Sequence, residues 1–303
     1  MDRWYAMKVF VRVVEAGSFV SAAEKLKLST TATSRLVADL ETHLGTRLLQ
    51  RTTRRLHLTE PGQRFFDRAR DLLAGLDEAE AEAGVGTQAP SGLLRITTPA
   101  IFASLHLAQL LPLYLRRYPQ VTLEVLAIDR IVDLVNDGFD MAIRLSNDIH
   151  PTYVARKLAP IRWVVCASPA YLERHDTPQT PQDLTRHNCL VHTFGPHAER
   201  WNFKGPDGPV QVPTRGTFHT NNSEMRRAAA LAGDGIALEM TFVVGEALAK
   251  GELIPLLRDW GVPETSAMAV YPSRRFVSAR VRTFTEFLQQ EFSGELPWDR
   301  WMK

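Results

Sequence analysis

Two cysteines in 303 residues, Cys166 and Cys189, are too few for a disulfide framework, and neither stands in a CxxC pair. No apolar run approaches the roughly 20 residues of a membrane-spanning helix. The opening MDRWYAMKVFVRVVEAGS interrupts its apolar stretch with charges and is followed by no small-residue cleavage site, which predicts a cytoplasmic protein with no membrane contact. GxSxG, GxxxxGK, GxGxxG and HExxH are all missing. His187, His192 and His197 gather near Cys189, but their spacing fits no zinc pattern, so no metal is expected. The carboxylate pairs Asp137/Asp140 and Glu78/Glu80 read as solvated surfaces. Together these absences predict a chain that is not an enzyme and carries no cofactor. A large excess of one charge is lacking too, since the net charge is only +2.

What is present is unevenly placed. Residues 1–62 hold ten Lys or Arg against six Asp or Glu, about +4, which leaves about −2 for the rest. In the same stretch Trp4, Met7, Val11 and Val14 recur at helical spacing, and Gly17 then Ser18 read as a stop and an N-cap. A second short helix carries Val20, Ala22, Ala23 and Leu26. Ser29 caps a third, with a core stripe at Leu36, Leu40 and Leu44, ended by Gly45. RLLQRTTRRLHL predicts a β-hairpin tipped with Arg51, Arg54 and Arg55. Thr59 caps a helix whose Phe65, Ala69, Leu72, Leu76, Ala79 and Ala83 form a heptad seam suited to pairing. GVGTQAPSG, residues 84–92, is a linker.

The third helix opens on hydroxyls, Ser29-Thr30-Thr31 then Thr33-Ser34-Arg35, where a core helix would carry apolar residues. Two short helices, a tight turn and a basic hairpin describe a winged helix-turn-helix. Its second helix inserts an N-terminal end into a major groove. There hydroxyls reach phosphates and base edges, arginine grips guanine or phosphate, and wing arginines hold the backbone or minor groove. Ser29 taken alone is equally an ordinary N-cap.

Beyond residue 92 strands and helices alternate, as in an α/β region. Expected strands are LLRITT, VTLEVLAI, DMAIRLS, IRWVVCAS, CLVHTF, WNFKG, an extended PVQVPTRGTFHT, GIALEM and MAVYP. Expected helices are 101–118, 131–137, 169–175, 223–232, 241–250 and 277–292. Ligands in such folds sit at strand C-termini. That singles out Thr98 with the backbone of Pro99, Ala100 and Ile101; Arg144 and Ser146; Thr193 and Phe194; and Asn221 and Asn222. Helix capping for Thr98 and Asn222, and a structural ion pair for Arg144, are the competing readings.

FVRVVEAGSFVSAAEKLKLSTTATSRLVADLETHLGTRLLQRTTRRLHLTEPG resembles the DNA-binding domain of the LysR-type transcriptional regulators, through AGSF, AAEKL, SR followed by LE, LGTRLL, RTTRR and LTEPG. Leu36 and Thr30 stand where many members carry Gln, so base preference does not transfer from relatives. YPQVTLEV, DGFDMAIRLS, ASPAYL, PQDLTRHNCL, AAALAGDGIAL and VYPSRR extend the resemblance into the effector-binding region. It implies a fold of α and α/β parts: a winged helix-turn-helix (1–60), a dimerisation linker helix and hinge (61–89), and an effector-binding domain (90–303). That domain would be two Rossmann-like lobes resembling type 2 periplasmic binding proteins. Lobe I is placed at about 92–163 and 268–303 and lobe II at about 164–267, with crossings near Trp163–Cys166 and Thr265–Ala269. The resemblance also implies promoter DNA as partner, a dimer through the linker helix, a tetramer of two dimers, contact with RNA polymerase, and an unidentified small-molecule effector between the lobes. The rival is a solute-binding or small-molecule enzyme domain with an accessory helix-turn-helix. The first would need an export signal, and the second a convergent nucleophile, base or metal site.

Overall fold

The computed structural model describes residues 2–51, 56–83, 89–193, 197–198, 200–206, 208–272 and 277–302. Two compact units divide the chain, one of Met1–Ala89 with Arg275–Ala279 and one of Pro90–Arg274 with Arg280–Lys303.

The first unit is α1 (Arg3–Ala16), α2 (Phe19–Leu26), α3 (Thr30–Leu44), β1 (Leu49–Arg51), β2 (Leu56–Leu58) and α4 (Glu60–Ala83). Local chemistry sets its corners. Gly17 and Gly45 end α1 and α3 at φ 65°, a conformation that glycine adopts without a Cβ clash. Ser18 accepts from the Val20 and Ser21 amides, Ser29 from Ala32, and the Thr59 hydroxyl from Gly62. Each such cap is worth about 1 kcal/mol. The buried face of α1 is Ala6, Val9, Phe10, Val11 and Val13, while Trp4 is 48% exposed. The expected stripe through Trp4 therefore lies about one residue off the real one. On α3 the core residues are Thr33, Val37 and Leu40; Leu36 is half-buried and Leu44 exposed. Strands β1 and β2 pair antiparallel, Leu49 facing Leu58 and Arg51 facing Leu56. Arg54 and Arg55, at the expected hairpin tip, lie outside the described residues.

The second unit holds two five-stranded sheets. Sheet I has the order β4-β3-β5-β14-β6, from β3 (Gly92–Thr98), β4 (Val121–Ala127), β5 (Met141–Leu145), β6 (Tyr153–Ile161) and β14 (Thr265–Pro272). Sheet II has the order β11-β8-β12-β7-β13, from β7 (Trp163–Ala167), β8 (Cys189–His192), β11 (His219–Thr220), β12 (Ile236–Met240) and β13 (Ile254–Leu256). An antiparallel ribbon of β9 (Arg200–Gly205) and β10 (Gly208–Pro213) packs Trp201, Phe203 and Val212 into the sheet II core. Around the sheets lie α5 (Ala100–Phe102), a π turn (Ala103–Leu107), α6 (Ala108–Arg117), α7 (Pro169–Leu172), α8 (Ser223–Leu231), α9 (Thr241–Ala249), α10 (Ala279–Glu291), and 3-10 turns at Pro181–Arg186 and Pro297–Met302.

Strands β3, β4 and β5 run parallel, and β6 runs with them through antiparallel β14. β8, β11 and β12 are parallel in sheet II. The chain crosses from β6 to β7 at Arg162, and from β13 to β14 between Leu256 and Thr265. Both crossings thus join the C-terminal edge of one sheet to that of the other, which sets the crevice between the lobes. Trp163–Cys166 already belongs to sheet II and Thr265–Ala269 to sheet I, so both crossings fall just outside the segments expected for them. Arg162 clasps them: its guanidinium bonds Glu264 (Nε to Oε1, 3.0 Å) ahead of β14 and Asp299 of the last 3-10 turn.

Three further expectations change. The helix expected over 101–118 is broken by the π turn, which brings His106 Nε2 within 3.1 Å of the Phe242 carbonyl and its ring to 4.3 Å from Trp298. Residues 131–137 form turns rather than a helix, because Asp133 accepts from the Val135 and Asn136 amides and Gly138 turns the chain at φ 71°. β6 and β13 were not expected at all.

Candidate functional site

In the first unit, Ser29 holds the start of α3 open to solvent, and Thr30, Thr31 and Arg35 are exposed along one side. Ser34 is half-buried. Thr33 departs from the expectation: it is fully buried and its hydroxyl donates to the Ser29 carbonyl at 3.1 Å, so it holds the helix and does not face a groove. Glu41 fixes the connection to the hairpin, accepting from the Leu48 and Leu49 amides at 2.8 and 3.0 Å. The exposed start of α3 is therefore hydroxylated and carries one cation, Arg35, its uncapped N–H groups favour anions, and Arg51 ends the strand beside it.

In the second unit the expected residues separate. Side chains alternate along a strand. On β3, Leu94, Ile96 and Thr98 share one face, and Arg95 and Thr97 the other. The Arg95 guanidinium lies 5.5 Å from the Phe139 ring, which belongs to the cluster of Val132, Leu134, Ala142 and Val270. Thr97 stands beside Ala142, and Arg144 follows two residues later on that same face, opposite Met268. Thr97 therefore accompanies Arg144, whereas Thr98 points to the other side of the sheet. Both threonine hydroxyls are buried with no partner among the described residues.

The anion seat expected at Ala100 is already taken. The Asp129 carboxylate accepts from the Ala100 amide at 3.1 Å. Pro99 and Ile101 are half-buried beside it. Ser146 spends its hydroxyl on its own turn, accepting from the Asp148 amide at 3.0 Å. Asn222 caps α8 by accepting from Met225 at 3.0 Å, with Asn221 exposed next to it. Thr193 is exposed at the end of β8, and Phe194 lies outside the described residues.

Sequence reasoning gave no role to Ser223, Arg226 and Glu239, which meet where α8 and β12 approach the crevice edge, and weighed His197 only as a metal ligand. Arg226 and Glu239 form a buried ion pair, Nη2 lying 2.6 Å from Oε2, with Ser223 Oγ at 3.1 Å from the same nitrogen. Burial pushes the Glu239 carboxyl up, and Arg226 opposes that. His197 packs edge-on to Trp163 at 4.9 Å, and burial with the nearby Arg226 pulls its imidazole down to about 4. The hint in the sequence is Glu239 inside the apolar strand IALEM; Arg226 is one of three charges in SEMRRAAAL and does not stand out. Cys166 and Cys189 are buried, and burial raises both thiols, Cys189 to about 12. Neither has the thiolate character that oxidation requires. Among the described residues no group of three or more His, Cys, Asp or Glu is placed to hold a metal.

Residues 4–63 match the bacterial regulatory helix-turn-helix family of lysR type, and residues 87–293 match the LysR substrate binding domain. The chain belongs to the LysR-type transcriptional regulators. Like them it joins a helix-turn-helix domain that binds DNA to a domain that binds an effector. It is 36% identical over 296 residues to the HTH-type transcriptional regulator DmlR of Escherichia coli K12, covering 96% of this chain and 95% of that one. The structure of CrgA, a LysR-type regulator from Neisseria meningitidis, superposes with a TM-score of 0.63 at 35% identity, covering 96% and 99%. Full-length AphB, the Vibrio cholerae virulence activator, gives 0.59 at 27%, covering 94% and 97%. No helix among the described residues is long and apolar enough to cross a membrane.

Proposed function

We propose that this LysR-type regulator acts in the cytoplasm, grips promoter DNA with Ser29, Thr30, Thr31, Ser34 and Arg35 of α3 and with the hairpin arginines Arg51, Arg54 and Arg55, and tunes transcription through a small molecule held between its C-terminal lobes. The observation that carries the reading is the exposed, hydroxyl- and arginine-bearing start of α3 on a domain whose apolar face is turned inward. The effector contacts are Arg144 with Thr97 and the Thr193 and Asn221–Asn222 edges, Asp129 already holding the Ala100 amide of the turn after β3. Closure of the lobes about Arg162 shifts a population between two assemblies, and no cofactor, metal or catalytic step takes part.

Pairing through α4 supplies the two-fold dimer. Phe65 and Ala69 pack into the domain's own core, but Leu72 is 53% and Leu76 36% exposed further along the helix. Two such dimers make a tetramer that contacts RNA polymerase. DNase footprinting on the DNA beside the protein's own gene tests this. Protection of two half-sites spaced by whole helical turns is expected, and L72D/L76D should reduce it to weak protection of single half-sites. Uniform, sequence-independent protection would overturn the proposal.

A further inference from the structure

Four arginines in the second unit keep a buried guanidinium nitrogen without a hydrogen-bond partner among the described residues: Arg144, Arg226, Arg227 and Arg280. Three of them face a carboxylate, Arg226 on Glu239, Arg227 on Glu224 and Arg280 on Asp140, at 2.6, 2.7 and 3.2 Å. Arg144 does not. Its one hydrogen bond is a 3.5 Å contact from Nη1 to the carbonyl of Ile143, and Nη2 is buried with no partner among the described residues. Burial pushes its pKa down, and the titratable neighbour that opposes this is the Tyr153 phenol, not a carboxylate.

The surroundings are apolar. Arg144 lies on the sheet face that carries Ala142 and Met268, against a cluster edged by Ile128, Ile149 and Tyr153. Thr97 adds one buried, unpartnered hydroxyl on that face. A desolvated cation without a counter-ion costs free energy that a hydrophobic residue in its place would avoid. An anion arriving from solution offsets that cost and gains charge-assisted hydrogen bonds. At the nearby helix start the Ala100 amide is already held by Asp129. Asp129 also brings a negative charge of its own next to Ile128.

We infer that the effector is a small organic monoanion, a single carboxylate on an apolar body, with the carboxylate on Arg144 and Thr97 and the body against Ile128, Ile149, Tyr153 and Met268. This rests on the effector reading above and specifies its chemistry. One cation suits one negative charge. A dicarboxylate or phosphate dianion would leave its second charge unmatched in an apolar wall beside Asp129.

The test is thermal unfolding of the full chain at constant ionic strength with millimolar benzoate or butyrate, against benzamide, succinate and inorganic phosphate. A ligand that binds only the folded state raises the melting temperature. Benzoate or butyrate should raise it, and benzamide, succinate and phosphate should raise it less. R144M should weaken the monoanion by about tenfold or more, the loss expected for hydrogen bonds to a charged group. R144K should retain part of the response, having the charge without the planar fork. Without ligand R144M should melt at or above the wild-type temperature, since it removes a half-buried cation whose buried Nη2 has no partner among the described residues, and R144K serves if R144M does not fold. An equal response to benzamide, a larger response to succinate or phosphate, an unchanged response in R144M and R144K, or no response to either monoanion overturns the inference. A neutral compound that shifts melting and changes DNA affinity would overturn the charge assignment alone. DNA affinity that answers to no compound at all would count against the effector reading itself.

Discussion

Replacing Arg226 by alanine isolates one interaction that holds the crevice edge of lobe II. Arg226 is 2% and Glu239 0% exposed, and the guanidinium nitrogen that lies 2.8 Å from Oε1 is also the one bonded to Ser223. Removing one member of a buried pair leaves an uncompensated charge and costs about 3–5 kcal/mol. Among the described residues Glu239 then keeps the Met240 amide at 3.3 Å and the Ser223 hydroxyl. The remaining acid meets part of the cost by taking up a proton. Burial already pushes its pKa up, and Arg226 is the main influence holding it down. An acid whose folded pKa is raised binds more protons folded than unfolded, so stability falls as pH rises through the unfolded value. The penalty of R226A should therefore be smaller near pH 5 than near pH 8. Urea unfolding followed by circular dichroism reads both numbers. The double variant R226L/E239L, which removes both charges, should recover most of the loss. A single-variant cost below about 1 kcal/mol, a pH trend of the opposite sign, or a double variant as unstable as the single would refute the reasoning.

Two other outcomes follow from the packing. A Cβ on Gly62 would stand 1.9 Å from the Leu48 carbonyl oxygen, a backbone atom that is also bonded to the Thr59 amide, so G62A should destabilise the N-terminal unit by about 1–3 kcal/mol; melting within about 0.5 kcal/mol of wild type would contradict this. His197 is 6% exposed and its folded pKa is lowered from 6.5 to about 4. The unfolded chain then binds the proton that the folded one refuses, and stability drops as pH falls from about 6.5 toward 4, by at most about 3 kcal/mol. His106, lowered by burial, adds to the same limb. H197F should flatten the acid limb of a melting-against-pH curve, and an unchanged limb would exclude His197 as its source.

The helix-turn-helix could be read from the chain because its corners are local. Gly17, Ser18, Ser29 and Gly45 act within a turn of themselves, and short-range chemistry is what a sequence displays. The core faces were harder. On α1 the apolar residues run almost all round, so periodicity alone did not separate Val9 and Val13 from Trp4 and Val14. β6 was hidden because YVARKLAPI mixes charge with a proline, and its pairing to β14 shifts register between Ala267 and Met268. A strand of that kind is defined by its partner rather than by its own alternation. The crevice was legible as a place but not as a set of side chains. Thr98 ends the strand, yet strand parity puts Thr97, not Thr98, on the face of Arg144. The Ala100 amide looked open because its partner, Asp129, lies twenty-nine residues on. The pairing of Arg226 with Glu239 similarly depends on α8 packing over β12.

The claim on which the rest depends is that the exposed start of α3 contacts duplex DNA. Fluorescence anisotropy with a labelled duplex from the region beside the protein's own gene, titrated at several salt concentrations, measures it directly. R35A should weaken binding about tenfold or more and lower the slope of log affinity against log salt by about one if Arg35 meets a phosphate. If R35A folds and assembles as wild type does and binds the same duplex with the same affinity and the same salt slope, the face assigned to DNA is wrong.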